Sequence, residues 1–358
     1  ILLYTAGTTG VPKGVMLSHN SFAVYVLENV TPADPELEER NILTVPLYHV
    51  AGIQAMMAAI YGGRTLVMER QFDAKEWMEL VESEKANRAM MVPTMLKQLM
   101  DHPEFSEHDL SSLKVITYGA APMPLEVIKR ALDVFPGVSF INAFGQTETA
   151  STITTLGPED HIISGTEEER EKKLKRLSSI GKPMSDVEMR IIDEDGRELP
   201  VGQVGEIVAR GPRVMTGYWK DEEKTEKTID KDGWIHTGDM GYMDEDGYFY
   251  LAGRAMDMII RGGENISPEE VEAVLRTHPK VEEAAVIGIP DEEWGEQPRA
   301  IVVLKQGETA TAEEIIEHCR ANLSSFKRPR SVVFIDELPR NPMGKVLKRV
   351  LQERYGKV

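Results

Sequence analysis

The chain has 358 residues, 41% hydrophobic and 28% charged, a balance typical of a globular protein of roughly two or three domains with a sizeable core. Acidic residues outnumber basic ones, 59 to 41, for a formal charge of −18, which argues against nucleic acid or an anionic membrane as the main partner. The single cysteine, Cys319, excludes an internal disulfide and suits a reducing, cytoplasmic compartment; no apolar run is long enough to span a bilayer.

In chain order, an apolar start leads directly into Tyr4-Thr5-Ala6-Gly7-Thr8-Thr9-Gly10-Val11-Pro12-Lys13-Gly14. Glycines let backbone N–H groups turn toward an anion, and the threonine hydroxyls and Lys13 add donors and charge. The spacing differs from a Walker A loop, which needs Gly-x4-Gly-Lys-[Ser/Thr]. A plain Gly/Thr turn would use the same residues.

Apolar runs over 42–46, 65–68, 89–92, 115–118 and 138–143 read as strands, and 73–84, 94–100 and 124–135 read as helices between them. This alternation predicts a parallel sheet with crossover helices, with functional loops at the carboxyl ends of the strands. Tyr118-Gly119-Ala120-Ala121-Pro122 and Asn142-Ala143-Phe144-Gly145-Gln146-Thr147-Glu148 fall there. The charged stretch 166–175 reads as a solvated helix or loop. Beyond Gly181, alternating apolar residues and the turns Asp195-Gly196 and Asp246-Gly247 predict a small antiparallel barrel.

A third unit starts near Asp257. Ser267-Pro268-Glu269-Glu270 and Thr311-Ala312-Glu313-Glu314 carry helix-start signals. Strands over 284–289, 300–304 and 332–334 complete a small α+β domain. Cys319 follows Ile315-Ile316 at helical spacing, which makes it a core residue rather than a nucleophile.

Three further motifs follow: Thr237-Gly238-Asp239; Gly253-Arg254-Ala255-Met256-Asp257 with Arg261-Gly262-Gly263-Glu264-Asn265; and Leu338-Pro339-Arg340-Asn341-Pro342-Met343-Gly344-Lys345. Together with the opening loop and Phe144–Glu148, their order resembles the adenylate-forming superfamily, which includes acyl-CoA synthetases, peptide-synthetase adenylation domains and luciferases. The resemblance covers essentially the whole chain.

It implies an α/β protein: a parallel α/β part (1–180), a β-barrel part (181–254) and a mobile C-terminal α+β domain (257–358). It also implies a region before the phosphate loop, so a chain starting at Ile1, without Met, is expected to lack its N-terminal part. By resemblance, Thr5, Gly7, Thr8, Thr9, Gly10 and Lys13 hold the ATP phosphates. Gly119, Ala120, Ala121, Asn142, Phe144, Gly145 and Gln146 surround the adenylate. Thr147 binds the α-phosphate and Glu148 holds Mg2+. Asp239 and Arg254 meet the ribose, and Lys345 is the catalytic lysine. A carboxylate attacking the α-phosphate builds negative charge, which a poised lysine stabilises. The hinge falls at Met256, where relatives carry Asp or Lys.

Several residues bear on substrate. No aspartate occurs in Leu47-Tyr48-His49-Val50, which argues against an amino acid. His49, Tyr118, Gly119 and Gly145 are expected at the acyl pocket. Acetyl-CoA synthetases place Trp where this chain has Gly145, so a deeper pocket for a medium- or long-chain fatty acid, or an aryl acid, is expected. Gly262, Gly263, Phe326, Arg328 and Arg330 resemble a CoA site. The implied partners are a carboxylic acid, ATP and CoA, with a second copy of the chain also allowed. Acyl transfer to a carrier protein, or a non-catalytic nucleotide-binding role, stays open.

Overall fold

The structure is a computed structural model describing residues 1–5, 12–262, 264–341 and 344–357. It divides into two compact units. The first is Ile1–Gln203, Ile207–Thr237 and Met243–Tyr250; the second is Val204–Glu206, Gly238–Tyr242 and Leu251–Val358.

The chain opens with β1 (Leu2–Thr5), β2 (Lys13–Met16) and α1 (His19–Asn29), then runs through β3 (Arg40–Leu43), α2 (Val50–Tyr61), β4 (Thr65–Met68), α3 (Ala74–Glu84), β5 (Arg88–Met91), α4 (Pro93–Asp101), β6 (Val115–Gly119), α5 (Leu125–Val134), β7 (Ser139–Gln146) and β8 (Ser151–Leu156). Next come α6 (Glu167–Arg176), β9 (Lys182–Pro183), β10 (Glu188–Ile192), β11 (Gly205–Arg210), β12 (Gly217–Tyr218), α7 (Glu222–Thr228), β13 (Ile235–Met243) and β14 (Phe249–Arg254). The main sheet has the order β4-β3-β5-β6-β7-β8-β9. Its pairs from β4 to β7 are parallel, and β8 and β9 add antiparallel.

The crossovers explain the parallel part. Asp73 caps α3 by accepting from the Lys75 and Glu76 amides, and Pro93 opens α4 at a position whose N–H would be unpaired anyway. Their apolar stripes, with Trp77, Met78, Leu96 and Leu99, are fully buried, as are Ile116 and Phe140 of the sheet. Loops after β6 and β7 therefore leave neighbouring carboxyl ends of one sheet. Two further sheets have the orders β1-β2-β12, which is antiparallel, and β10-β11-β13-β14.

In the second unit, β15 (Ile259–Arg261), β16 (Glu264–Ile266), α8 (Pro268–Arg276), β17 (Val281–Asp291), β18 (Gly295–Leu304), α9 (Ala312–Asn322), β19 (Ser331–Phe334) and α10 (Lys348–Tyr355) follow. The sheet order is β16-β15-β18-β17, with β19 parallel to β18. Alternation along β17 and β18 buries both faces. Val286, Ala300 and Val302 pack with Val271 and Leu275 of α8 and Ile315 and Cys319 of α9. Ile287, Ile301 and Val303 pack with Leu351 of α10.

Candidate active site

The first unit places the phosphate-loop lysine by strand pairing. In the β1–β2 hairpin Thr5 faces Lys13, and β12 pairs with β2 so that Tyr218 faces Val15. The Lys13 ammonium lies 5.5 Å from the Tyr218 ring centre. The Tyr218 hydroxyl donates to Oε1 of Glu148 at 2.9 Å. Burial and the Glu148 carboxylate push the phenol up, so Tyr218 keeps its proton. The Glu148 backbone is fixed as well, its carbonyl accepting from Met215 N at 2.8 Å. Burial, with Lys224 alongside, lowers the Lys13 pKa to about 8, against the opposing pull of Glu148 and Asp221. Gly7, Thr8, Thr9 and Gly10 lie outside the described residues.

Backbone strain gathers at the strand ends. Exposed Ala120 after β6 has φ 65°, and Ala150 and Ser151 after Thr147-Glu148-Thr149 have φ 49° and 82°. Non-glycine residues in this region cost free energy and cluster at functional loops. Thr147 and Glu148 sit in a single 3-10 turn. The Thr149 hydroxyl steadies it, accepting from Gln146 N at 3.1 Å. Phe144 is half-buried against the apolar cluster of Val15, Val50 and Ile153. Ala121 is also half-buried.

Four of the expected site residues make close contacts within the fold. The Tyr118 side chain is fully buried, its hydroxyl 2.9 Å from His161 Nε2. A side chain at Gly119 would strike the Ala143 carbonyl oxygen at 2.1 Å, so that glycine serves the close approach of β6 and β7. At Gly145 a Cβ would lie 1.6 Å from the Ser151 carbonyl oxygen. The missing side chain therefore admits strand β8. Asn142 is buried and donates to the Ser179 carbonyl at 3.1 Å, a bond internal to the fold. His49 is the N-cap of α2, Nδ1 accepting from Ala51 N at 3.2 Å, and burial lowers its pKa.

The second unit carries its own constellation. Asp239 is buried and paired with Arg254, Oδ1 to Nε 2.7 Å. Gly238, with φ 68°, makes the bend before it. Lys345 is held from both sides of its peptide: its N donates to Asn341 Oδ1 and its carbonyl accepts from Asn341 N, each at 2.9 Å. Lys345 as a residue is exposed. Desolvation of the ammonium and the nearby Arg254 charge lower its pKa, while Asp239, Asp257 and Glu269 oppose the shift. Asp239, Arg254 and Lys345 thus share one electrostatic neighbourhood.

Met256 is exposed, in a 3-10 turn inside the second unit, whose continuous segment begins at Leu251. Gly262 has φ 61° and donates to the Trp294 carbonyl at 2.8 Å. A Cβ at Gly262 would lie 2.7 Å from the Trp294 ring. Gly263 lies outside the described residues. Arg330 is exposed. Phe326 packs partly into the core of the unit, and Arg328 donates Nε to the Leu323 carbonyl at 2.9 Å, closing the end of α9.

Sequence reading missed Tyr218, Lys224 and Trp294. The Gly-Tyr-Trp sequence at 217–219 and the lysine in α7 were the available signals. Among the described residues no group of three or more His, Cys, Asp or Glu gathers to hold a metal, and no helix is long and apolar enough to cross a membrane.

Comparison with known proteins agrees with this chemistry. The family described as AMP-binding enzyme matches residues 1–219, and its C-terminal domain matches residues 270–345. A feruloyl-CoA synthase from Amycolatopsis is 37% identical over 357 residues, covering 99% of this chain and 70% of its own length. The medium/long-chain-fatty-acid–CoA ligase FadD8 of Mycobacterium tuberculosis is 37% identical over 366 residues, covering 99% of this chain and 61% of its own. The ATP-bound crystal structure of MatB from Rhodopseudomonas palustris superposes with TM-score 0.87 at 33% identity, covering 99% of this chain and 68% of that one. The chain belongs to the AMP-binding enzyme family, as an AMP-forming acid–thiol ligase.

Proposed function

We propose that this chain activates a medium- or long-chain fatty acid with ATP to acyl-AMP and pyrophosphate, then passes the acyl group to CoA, giving acyl-CoA and AMP. The observation that carries the two-step chemistry is the Asp239–Arg254 ion pair, whose charges act on Lys345. In the first step a carboxylate oxygen attacks the α-phosphorus and the bond to pyrophosphate breaks. The Lys345 ammonium stabilises the added negative charge there. Asp239 accepts from the ribose hydroxyls, with Arg254 fixing its carboxylate. In the second step the CoA thiolate attacks the acyl carbonyl and AMP leaves. Gly262, bare of a side chain, admits the Trp294 ring against the backbone, and the Arg261–Gly262 segment is the part of the second unit we assign to the thiol-transfer step.

Lys13 and the Thr147 hydroxyl bind phosphate oxygens in the first unit. The residues fit Mg2+: Tyr218 occupies one oxygen of Glu148, and Mg2+ held mainly by phosphate and water needs few protein carboxylates. When bound, Mg2+ would neutralise phosphate charge.

The fatty-acid choice rests on likeness to FadD8. Likeness to a feruloyl-CoA synthase favours an aryl acid as the second reading. A panel of fatty and aryl acids in a pyrophosphate-release assay, followed by product analysis with CoA or a carrier protein, separates them. Fastest release with an aryl acid would replace the fatty-acid reading. Thioester formation only on the carrier protein would replace CoA.

A further inference from the structure

The ring of Tyr218 carries a second lysine. Lys224 Nζ lies 5.8 Å from the ring centre, and Lys13 Nζ lies 5.5 Å from it. The two ammoniums are close enough for Lys224 to depress the Lys13 pKa. Among the described residues neither ammonium forms an ion pair, and the Glu148 carboxylate is engaged by the Tyr218 hydroxyl at 2.9 Å. Two like charges held together cost free energy unless an anion comes between them.

The fold holds the second lysine in place. Asp221 caps α7, accepting from Lys224 N at 3.2 Å, and the Thr225 hydroxyl accepts from Tyr218 N at 2.9 Å. These bonds fix the backbone of Lys224 and of Tyr218, from which stem and ring project. A tyrosine face favours ammonium groups without neutralising them, so both charges stay available to a ligand.

We propose that Lys224 is a second phosphate-binding residue, acting with Lys13 across the Tyr218 ring on the β- and γ-phosphates of ATP, the part released as pyrophosphate. This rests on the nucleotide reading of the same unit. A polyphosphate carries enough charge to bridge both ammoniums, whereas a monophosphate carries less. Lys224 thus favours the triphosphate over AMP.

The test is equilibrium binding of ATP, inorganic pyrophosphate and AMP, each with Mg2+, to the wild-type protein and to Lys224→Met and Lys224→Arg. Methionine keeps the stem against the ring and removes the charge. Lys224→Met should weaken ATP and pyrophosphate by about tenfold, the scale of one charge-assisted hydrogen bond, and leave AMP within about twofold. Lys224→Arg should restore most of the loss, and the pyrophosphate effect should shrink with added salt. In turnover, KM for ATP should rise more than kcat falls. Wild-type binding of ATP with unchanged affinity in Lys224→Met overturns the inference alone. Equal loss for AMP, or no rescue by arginine, also overturns it. Failure of the wild-type protein to bind any nucleotide overturns the nucleotide reading beneath it.

Discussion

Gly145→Ala is a severe test of how β7 and β8 meet. An added Cβ would lie 1.6 Å from the Ser151 oxygen, 2.6 Å from its carbon and 3.1 Å from Ile153 N. That is roughly 2 Å short of van der Waals separation, and the obstacle is backbone, which has no rotamer to change. The strands must part at their bulge, where Gly145 faces Thr152 and Gln146 faces Ser151. Overpacking of this kind costs about 1–3 kcal/mol, and a weakened ladder hydrogen bond adds about 1 kcal/mol. A total near 3 kcal/mol lowers the melting transition of the first unit by about 6–12 °C. Calorimetry of the variant against wild type measures it, with acid preference recorded alongside. A normal transition with a shift toward short acids would refute the steric account and support an open pocket at Gly145.

Further outcomes follow from buried charges. Arg213, 1% exposed, donates Nε to Asp186 at 2.6 Å; Arg213→Met leaves Asp186 uncompensated and should cost about 3–5 kcal/mol in urea unfolding, whereas a loss under about 1 kcal/mol would contradict the burial. Lys13, with folded pKa about 8 and an ordinary unfolded value of 10.5, binds fewer protons folded than unfolded between those values. Its contribution to stability therefore rises with pH across that window, and ATP affinity should fall across it as the ammonium is lost; affinity flat from pH 7 to 10 would contradict the shift. Cys319 is fully buried, its thiol pushed up to about 11 by burial, so a thiol reagent at pH 8 should label it only after denaturation.

The parallel core was legible because α3, α4 and α5 are amphipathic and end in clear signals, so helices over 73–84, 94–100 and 124–135 returned within a residue or so. Helix α2 was missed because Val-Ala-Gly-Ile-Gln-Ala-Met-Met is apolar almost throughout and shows no period. The charged stretch formed α6 through the Thr166–Glu169 capping box. At the site, order along the chain could locate Glu148, Asp239 and Lys345, but side-chain direction could not be read. Tyr118 and Gly145 were both taken as pocket residues; one turns into the core and the other admits a neighbouring strand. Tyr218 lies 70 residues from Glu148, a separation that only folding resolves.

The central claim is that Lys345 serves adenylation alone. In Lys345→Ala, single-turnover formation of acyl-AMP should fall by about 10²–10³, the scale of a lost charge-stabilising donor. Acyl-CoA formation from supplied acyl-AMP should stay near the wild-type rate. Equal loss in both half-reactions would contradict the account.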